Sequence, residues 1–114
     1  MRVRRGQIIL VGLDPVIGAE QGKTRPALVI QNDTGNRFSP ITIIAPITSK
    51  VFSKQYPTNV TISSKASGLK MKSTIMLNQI RAIDNSRIKK EIRMLDRYTM
   101  GLVDEAIKES LGLS

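Results

Sequence analysis

A small, mainly β half-open barrel with one C-terminal α-helix is the fold class this sequence predicts, and three observations carry the prediction. All five prolines (Pro15, Pro26, Pro40, Pro46, Pro57) fall in the first half, where strand and turn punctuation therefore concentrates. Several short runs rich in β-branched residues follow one another with turn residues between them. Only the last segment spaces its apolar residues by three and four, as a helix does. With 114 residues, 40% of them hydrophobic, the chain is expected to form a single domain over 1–114.

In chain order, Gln7–Leu13 reads as a strand ended by Asp14-Pro15, and Asp14–Thr24 as a loop with two glycines and no periodicity. Arg25–Gln31 is the second strand; Pro26 donates no hydrogen bond, so it belongs at the strand's beginning or on an edge. Ile41–Ile47 is the third, with Pro46 pointing to a bulge or an edge. Tyr56–Ser63 alternates Val60 and Ile62 with polar residues, and Ser73–Ile83 supplies Ile75, Leu77, Ile80 and Ile83. Asp96 caps a helix whose Met100, Val103, Ala106, Ile107 and Leu111 form the face turned to the barrel, and Gly112 stops it.

The composition excludes whole classes of chemistry. The chain has no His and no Cys, so no imidazole base, zinc site, thiol nucleophile or disulfide scaffold is available. No metal and no cofactor is expected, and the absence of Cys suits the reducing cytoplasm. Met1-Arg2-Val3-Arg4-Arg5 has the charge of a signal peptide's front, but Gly12 and Asp14 cut short the apolar run Ile8–Val11, so neither export nor a membrane span is expected.

Charge points to a polyanion. The formal net charge is +9, and residues 34–83 hold no carboxylate while carrying Arg37, Lys50, Lys54, Lys65, Lys70, Lys72 and Arg81. A basic surface on central strands and loops attracts nucleic acid by releasing its counterions. Gly22-Lys23-Thr24 resembles the end of a phosphate-binding P-loop, but Ile17 stands where the motif needs glycine and Arg25-Pro26 follows where it needs a helix. Arg25, held extended by Pro26, projects from a fixed strand end; in isolation it reads as a surface arginine, though such a guanidinium can clamp a phosphoryl group with two parallel hydrogen bonds. Thr48 ends the third strand. With two Phe, two Tyr and no Trp, the chain is not expected to offer an aromatic stacking platform, and Phe38, Phe52, Tyr56 and Tyr98 read as core or interface residues.

Taken jointly, GLDPVIGAEQGKTRPALVIQND, FSPITIIAPITSK and STIMLNQIRAID resemble the MazF/PemK/Kid family of toxin endoribonucleases, nearest its Bacillus-type MazF branch. The resemblance covers nearly the whole chain and implies an SH3-like (PemK/CcdB-type) barrel. It further implies a homodimer that cleaves single-stranded RNA or mRNA at a short sequence, free of ribosome and metal, and is inhibited by an acidic MazE-like antitoxin. Carried over, the family's catalytic arginine falls on Arg25 and its catalytic threonine on Thr48; the 2'-hydroxyl attacks the neighbouring phosphorus, leaving a 2',3'-cyclic phosphate and a 5'-hydroxyl. RNA contacts are expected from Glu20, Gln21, Gly22, Lys23, Asn32, Ser49, Ser73, Asn78 and Gln79. Asn78 stands where several relatives carry a carboxylate, a departure that bears on the recognised sequence. Two rivals share the barrel: a gyrase-poisoning branch expected to end in a tryptophan-bearing helix tip, which is not found here, and a basic domain that only binds RNA.

Overall fold

The computed structural model describes residues 2–12 and 24–113. The elements are β1 (Gln7–Gly12), β2 (Thr24–Val29), α1 (Asp33–Phe38), β3 (Ile41–Thr48), β4 (Asn59–Ile62), α2 (Ser64–Ser67), β5 (Ser73–Met76), β6 (Arg81–Asp84), β7 (Ile88–Met94) and α3 (Arg97–Leu111). Two 3-10 turns, Leu77–Gln79 and Asn85–Arg87, flank β6. The strands pair antiparallel in the order β4-β5-β3-β2-β1-β7, with β6 also on β3, in a sheet that does not close.

The period of two decides where the core lies. On one face Ile8, Leu28, Ala45, Ile47, Ile75 and Leu77 pack with Val103 and Ala106 of α3; on the other, Ile9, Val11, Ala27, Val29, Ile44, Ile83 and Ile88 form a second cluster. Burying a side chain of this size contributes about 1.5–3 kcal/mol relative to leaving it exposed, so these alternating rows hold the sheet curved between two apolar layers. Gly6, at φ +97°, makes the turn into β1: its N–H donates to Val29 O at 2.8 Å, and a Cβ there would meet Met94 Sδ at 3.0 Å.

β3 occupies the middle of the sheet, which corrects the edge reading of Pro46. Its first half pairs with β6 through Ile44↔Arg81, its last two residues pair with β5 through Ile47↔Ile75 and Thr48↔Thr74, and β2 lies along its other side. Pro46 sits where the outer partner changes, so its missing N–H interrupts no ladder there. Pro26 is the third residue of β2, opposite Leu10, and lies just before Ala27↔Pro46, the first β2–β3 pair.

Ser73–Ile83 is two strands rather than one, because the Leu77–Gln79 turn buries Leu77 and redirects the chain from β5 to β6. Of Tyr56–Ser63 only Asn59–Ile62 is strand. Helix is also not confined to the end: Asn32 caps α1 by accepting from Gly35 N at 2.7 Å, and Ser63 caps α2 by accepting from Ala66 N at 3.1 Å. α3 has the expected ends: Asp96 accepts from Thr99 N at 2.9 Å, and Gly112 at φ +70° is followed by Leu113 N donating to Lys108 O at 2.8 Å. Its last turn overhangs, leaving Leu111 59% exposed instead of packed. No helix among the described residues is long and apolar enough to cross a membrane.

Candidate functional site

Arg25 and Thr48 lie 23 positions apart in the chain, yet the sheet sets them side by side. The pairing Ala27↔Pro46, Leu28↔Ala45, Val29↔Ile44 continued to the strand ends places Arg25 opposite Thr48. Both are an even number of residues from the paired Ala27 and Pro46, so both side chains leave the same face of the pleat. They line one cleft of about 290 Å³ together with Thr24, Pro26, Ser49, Leu69, Lys70, Met71 and Ser73.

The chemistry of this cleft is one-sided. Among the described residues, two cations, Arg25 and Lys70, and no carboxylate line it. The Arg25 guanidinium is exposed and makes no hydrogen bond or ion pair to any described residue. Thr48 Oγ1 accepts from Lys50 N at 3.2 Å, which fixes the hydroxyl and leaves its proton to donate outward. Ser73 is buried and its hydroxyl donates to Met71 O at 2.9 Å, shaping the wall. Gly68, in the left-handed conformation at φ +75°, ends α2 and turns the chain so that Leu69-Lys70-Met71 form the opposite side.

The remaining candidates are dispersed. Ser49 lies in the cleft, while Asn78 and Gln79 line a separate hollow of about 230 Å³ with Phe52, Tyr56, Asn59 and Met76. Asn32 lines neither; its Oδ1 caps α1. Glu20, Gln21, Gly22 and Lys23 lie outside the described residues, as does most of the 14–24 loop.

Sequence reasoning missed Lys70, whose signal was present in the carboxylate-free segment but lost among six other cations. Of the core-or-interface reading of the four aromatics, the core half does not hold. Phe38 and Tyr98 are each 77% exposed, Tyr56 is 44% exposed and Phe52 half-buried, so none belongs to the core.

The carboxylates with displaced pKa values all stand outside the cleft. Asp33 is lowered chiefly by the Arg5 backbone N–H it accepts, Asp84 by Ser86, and Asp96 by the backbone N–H of Thr99. No group of three or more His, Cys, Asp or Glu that could hold a metal ion occurs among the described residues. A larger hollow of about 480 Å³ between β4 and α3 carries Glu105 and Glu109, which would repel a phosphodiester.

The family of PemK-like, MazF-like toxins of type II toxin-antitoxin systems matches residues 4–111. The chain belongs to this family. Endoribonuclease EndoA of Bacillus subtilis (strain 168) is 49% identical over 113 residues, which span 99% of this chain and 97% of that one. A chain in the MazE-MazF crystal structure (Form-II) from Deinococcus radiodurans superposes with a TM-score of 0.81 at 25% identity, covering 100% of this chain and 99% of that chain. Mycobacterium tuberculosis toxin MazF-mt6 has the same fold, with a TM-score of 0.80 at 22% identity over 95% and 98% of the two chains. The unclosed seven-stranded sheet with its C-terminal helix is thus the fold of the MazF toxins.

Proposed function

We propose that this member of the toxin family is a sequence-specific endoribonuclease that cuts single-stranded RNA, including mRNA, without ribosome or metal. The observation that carries the reading is the β2–β3 register, which leads an exposed guanidinium and a threonine hydroxyl to one cleft. The EndoA likeness supports the same enzyme class.

Such a cleft suits a reaction in which the substrate supplies the nucleophile. The 2'-oxygen forms a bond to phosphorus, the bond from phosphorus to the 5'-oxygen breaks, and the products are a 2',3'-cyclic phosphate and a 5'-hydroxyl. One proton leaves the 2'-hydroxyl and one arrives at the 5'-oxygen. Arg25 holds the non-bridging oxygens as charge gathers on the pentacoordinate phosphorus; donors used in this way contribute about 3–4 kcal/mol each. A guanidinium carries five N–H donors and no acceptor, so Arg25 acts as a donor, to the phosphoryl oxygens and the leaving oxygen, and not as the base. Thr48 donates to the scissile phosphate or relays the proton.

Ser49, Lys70, Asn78 and Gln79, with Glu20, Gln21, Gly22 and Lys23 of the preceding loop, contact the RNA on either side of the break. The toxin acts in the cytoplasm as a homodimer of this one domain. Phe38, Met71, Tyr98, Leu111 and Leu113, each more than half exposed, present apolar area that a second protomer or an antitoxin would cover. The restraining partner is an acidic, initially disordered MazE-like segment, steered by the +9 charge.

Incubating purified protein with a long single-stranded RNA in EDTA and mapping the new 5' ends tests the reading. Fragments with 5'-hydroxyl ends at one recurring sequence are expected. Intact RNA in the absence of antitoxin would overturn it.

A further inference from the structure

Strand pairing does not close the sheet: β4 stands at one end of its path and β7 at the other. Among the described residues the two ends meet through α2, the link from β4 to β5, which rests on β7. The Arg93 guanidinium donates through Nη1 to Lys65 O. Its Nε lies 3.2 Å, and Ile92 Cγ2 3.3 Å, from the point that a Cβ on Gly68 would occupy. Gly68 is therefore needed twice, for its φ of +75° and for the space that lets the guanidinium lie against its backbone. Beneath this contact, Leu69 and Ile92 pack against the same core cluster.

A helix of four residues does not hold its shape without tertiary support, and its last carbonyls have no partners within the helix. Arg93 supplies both needs, a donor for one of those carbonyls and a cation at the helix C-terminus. Among the described residues, the other hydrogen bonds between Ser64 and Lys72 run to near neighbours: Gly68 N to Ser64 O at 2.9 Å, Leu69 N to Ser67 Oγ at 3.1 Å, and Ser73 Oγ to Met71 O at 2.9 Å. Arg93 thus makes the one hydrogen bond that ties this segment to a distant strand, and no described carboxylate pairs with it instead.

Resting on the endoribonuclease reading above, we propose that Arg93 is a positioning residue for cleavage: it clasps α2 to β7 and so fixes where Lys70 stands in the cleft of Arg25 and Thr48. The lever is short. Lys70 is the second residue after Gly68, and with Leu69 and Met71 it lines the same cleft of about 290 Å³ as Arg25 and Thr48. With the clasp open, Leu69 still roots the segment in the core, but Lys70 and Met71 move over a range of positions. A moving ammonium still attracts RNA, because that attraction reaches over a Debye length of about 8 Å. It contributes less to a transition state, where a misplacement of about 1 Å is already costly. The loss therefore falls on kcat.

Single-turnover cleavage at the mapped sequence is compared for the parent, Arg93→Ala, Arg93→Lys, Lys70→Met and the double variant of Arg93→Ala with Lys70→Met. Binding is followed with a fluorescently labelled, non-cleavable RNA whose scissile ribose is 2'-deoxy. Arg93→Ala is expected to lower kcat roughly 2- to 10-fold, the worth of one hydrogen bond, with KM kept. Arg93→Lys retains a donor for Lys65 O and is expected to recover most of the loss. In the Lys70→Met background, Arg93→Ala is expected to have no further effect. An unchanged kcat in Arg93→Ala overturns the proposal, as does a double variant whose loss is the product of the two single losses, since the residues then act independently. A slope of log affinity against log salt flattened by about 0.7 in Arg93→Ala overturns it in favour of direct contact with an RNA phosphate. The chain has no Cys, so a nitroxide on Met71→Cys, at an exposed position, reports the cleft wall without RNA. Its spectrum is expected to sharpen in Arg93→Ala and to recover in Arg93→Lys. Cleavage by the parent with identical spectra overturns the clasp and leaves the enzyme reading intact. Sharpening in a chain whose parent cuts no RNA supports the clasp and overturns the enzyme reading.

Discussion

The Arg25–Thr48 cleft and the Phe52–Tyr56 hollow lie on either side of the end of β3 and are built in different ways. The first is made by strand register: two side chains become neighbours because β2 and β3 are antiparallel, in phase, and braced by buried Ala27, Val29, Ile44 and Ala45. The second is made by the 50–58 loop, where Phe52 and Tyr56 meet edge to face with centroids 6.0 Å apart. Thr74 Oγ1 donating to Lys50 O, Asn59 N to Tyr56 O and Leu77 N to Thr58 O tie this loop down. A register places a functional group to within a fraction of a strand repeat and would suit bond breaking, where misplacement is costly. A pinned loop tolerates adjustment and would suit recognition.

The sharpest way to break the comparison is at the cleft. Arg25→Ala is expected to lower kcat by about 100- to 1,000-fold, the loss typical of removing one transition-state donor, with the fold retained because the side chain is exposed. Thr48→Val keeps the volume and removes the hydroxyl, and is expected to cost about 10- to 150-fold, the worth of one hydrogen bond to a charged group. Single-turnover cleavage of one RNA measures both. If both changes moved KM and left kcat alone, the cleft would be a binding surface like its neighbour.

The same contrast explains what the sequence disclosed. β2, β3 and the α3 caps were legible because β-branched alternation and the Asp96 and Gly112 signals obey local rules, and the resemblance singled out Arg25 and Thr48 on those strands. β7 was not. In IKKEIRM only Ile88 is buried, and register shifts against β1 between Ile8 and Ile9 and between Leu10 and Val11 erase the period of two. α1 was missed because six residues containing Gly35 bury only Asn36, a polar side chain that accepts from Thr42 Oγ1 at 2.6 Å and Gln31 Nε2 at 3.0 Å. The aromatic hollow was missed for another reason: a count of four rings says nothing about two of them meeting, and their meeting depends on Thr74 and Leu77, which lie outside the loop.

Electrostatics distinguishes the regions at smaller amplitude. Lys70 lines the cleft and Lys50 Nζ lies 4.8 Å from the Phe52 centroid at the hollow, so Lys70→Met and Lys50→Met each remove a cation from the path proposed for the RNA. Each is expected to flatten the slope of log affinity against log salt by about 0.7, the value for one contact to a single strand. Fluorescence titrations of the non-cleavable RNA over a range of salt concentrations check this. Lys70→Met is also expected to lower kcat, because Lys70 lines the same cleft as Arg25 and Thr48. Equal slopes for the parent and Lys50→Met would mean that the RNA leaves the protein before reaching the hollow.

The smallest effect belongs to a region remote from both, where α1 joins the chain ahead of β1. Asn32→Ala removes the acceptor for Gly35 N and is expected to cost about 1 kcal/mol of stability, whereas Asn32→Asp keeps the acceptor and the stability. Next to it, Asp33 Oδ1 accepts from Arg5 N at 2.7 Å, and this bond holds its pKa below the ordinary 3.8. A lowered carboxylate stabilises the folded state fully above its unfolded pKa and ceases to do so as pH falls through the folded value. The parent's urea midpoint is therefore expected to fall more steeply than that of Asp33→Asn below about pH 4, and the two to run parallel from pH 5 upward. Because the side chain is exposed, solvent screening keeps the difference small. Parallel curves through the acid range would show that the Arg5 contact is not maintained in solution. The α1 junction would then owe its position to the buried Asn36 network alone.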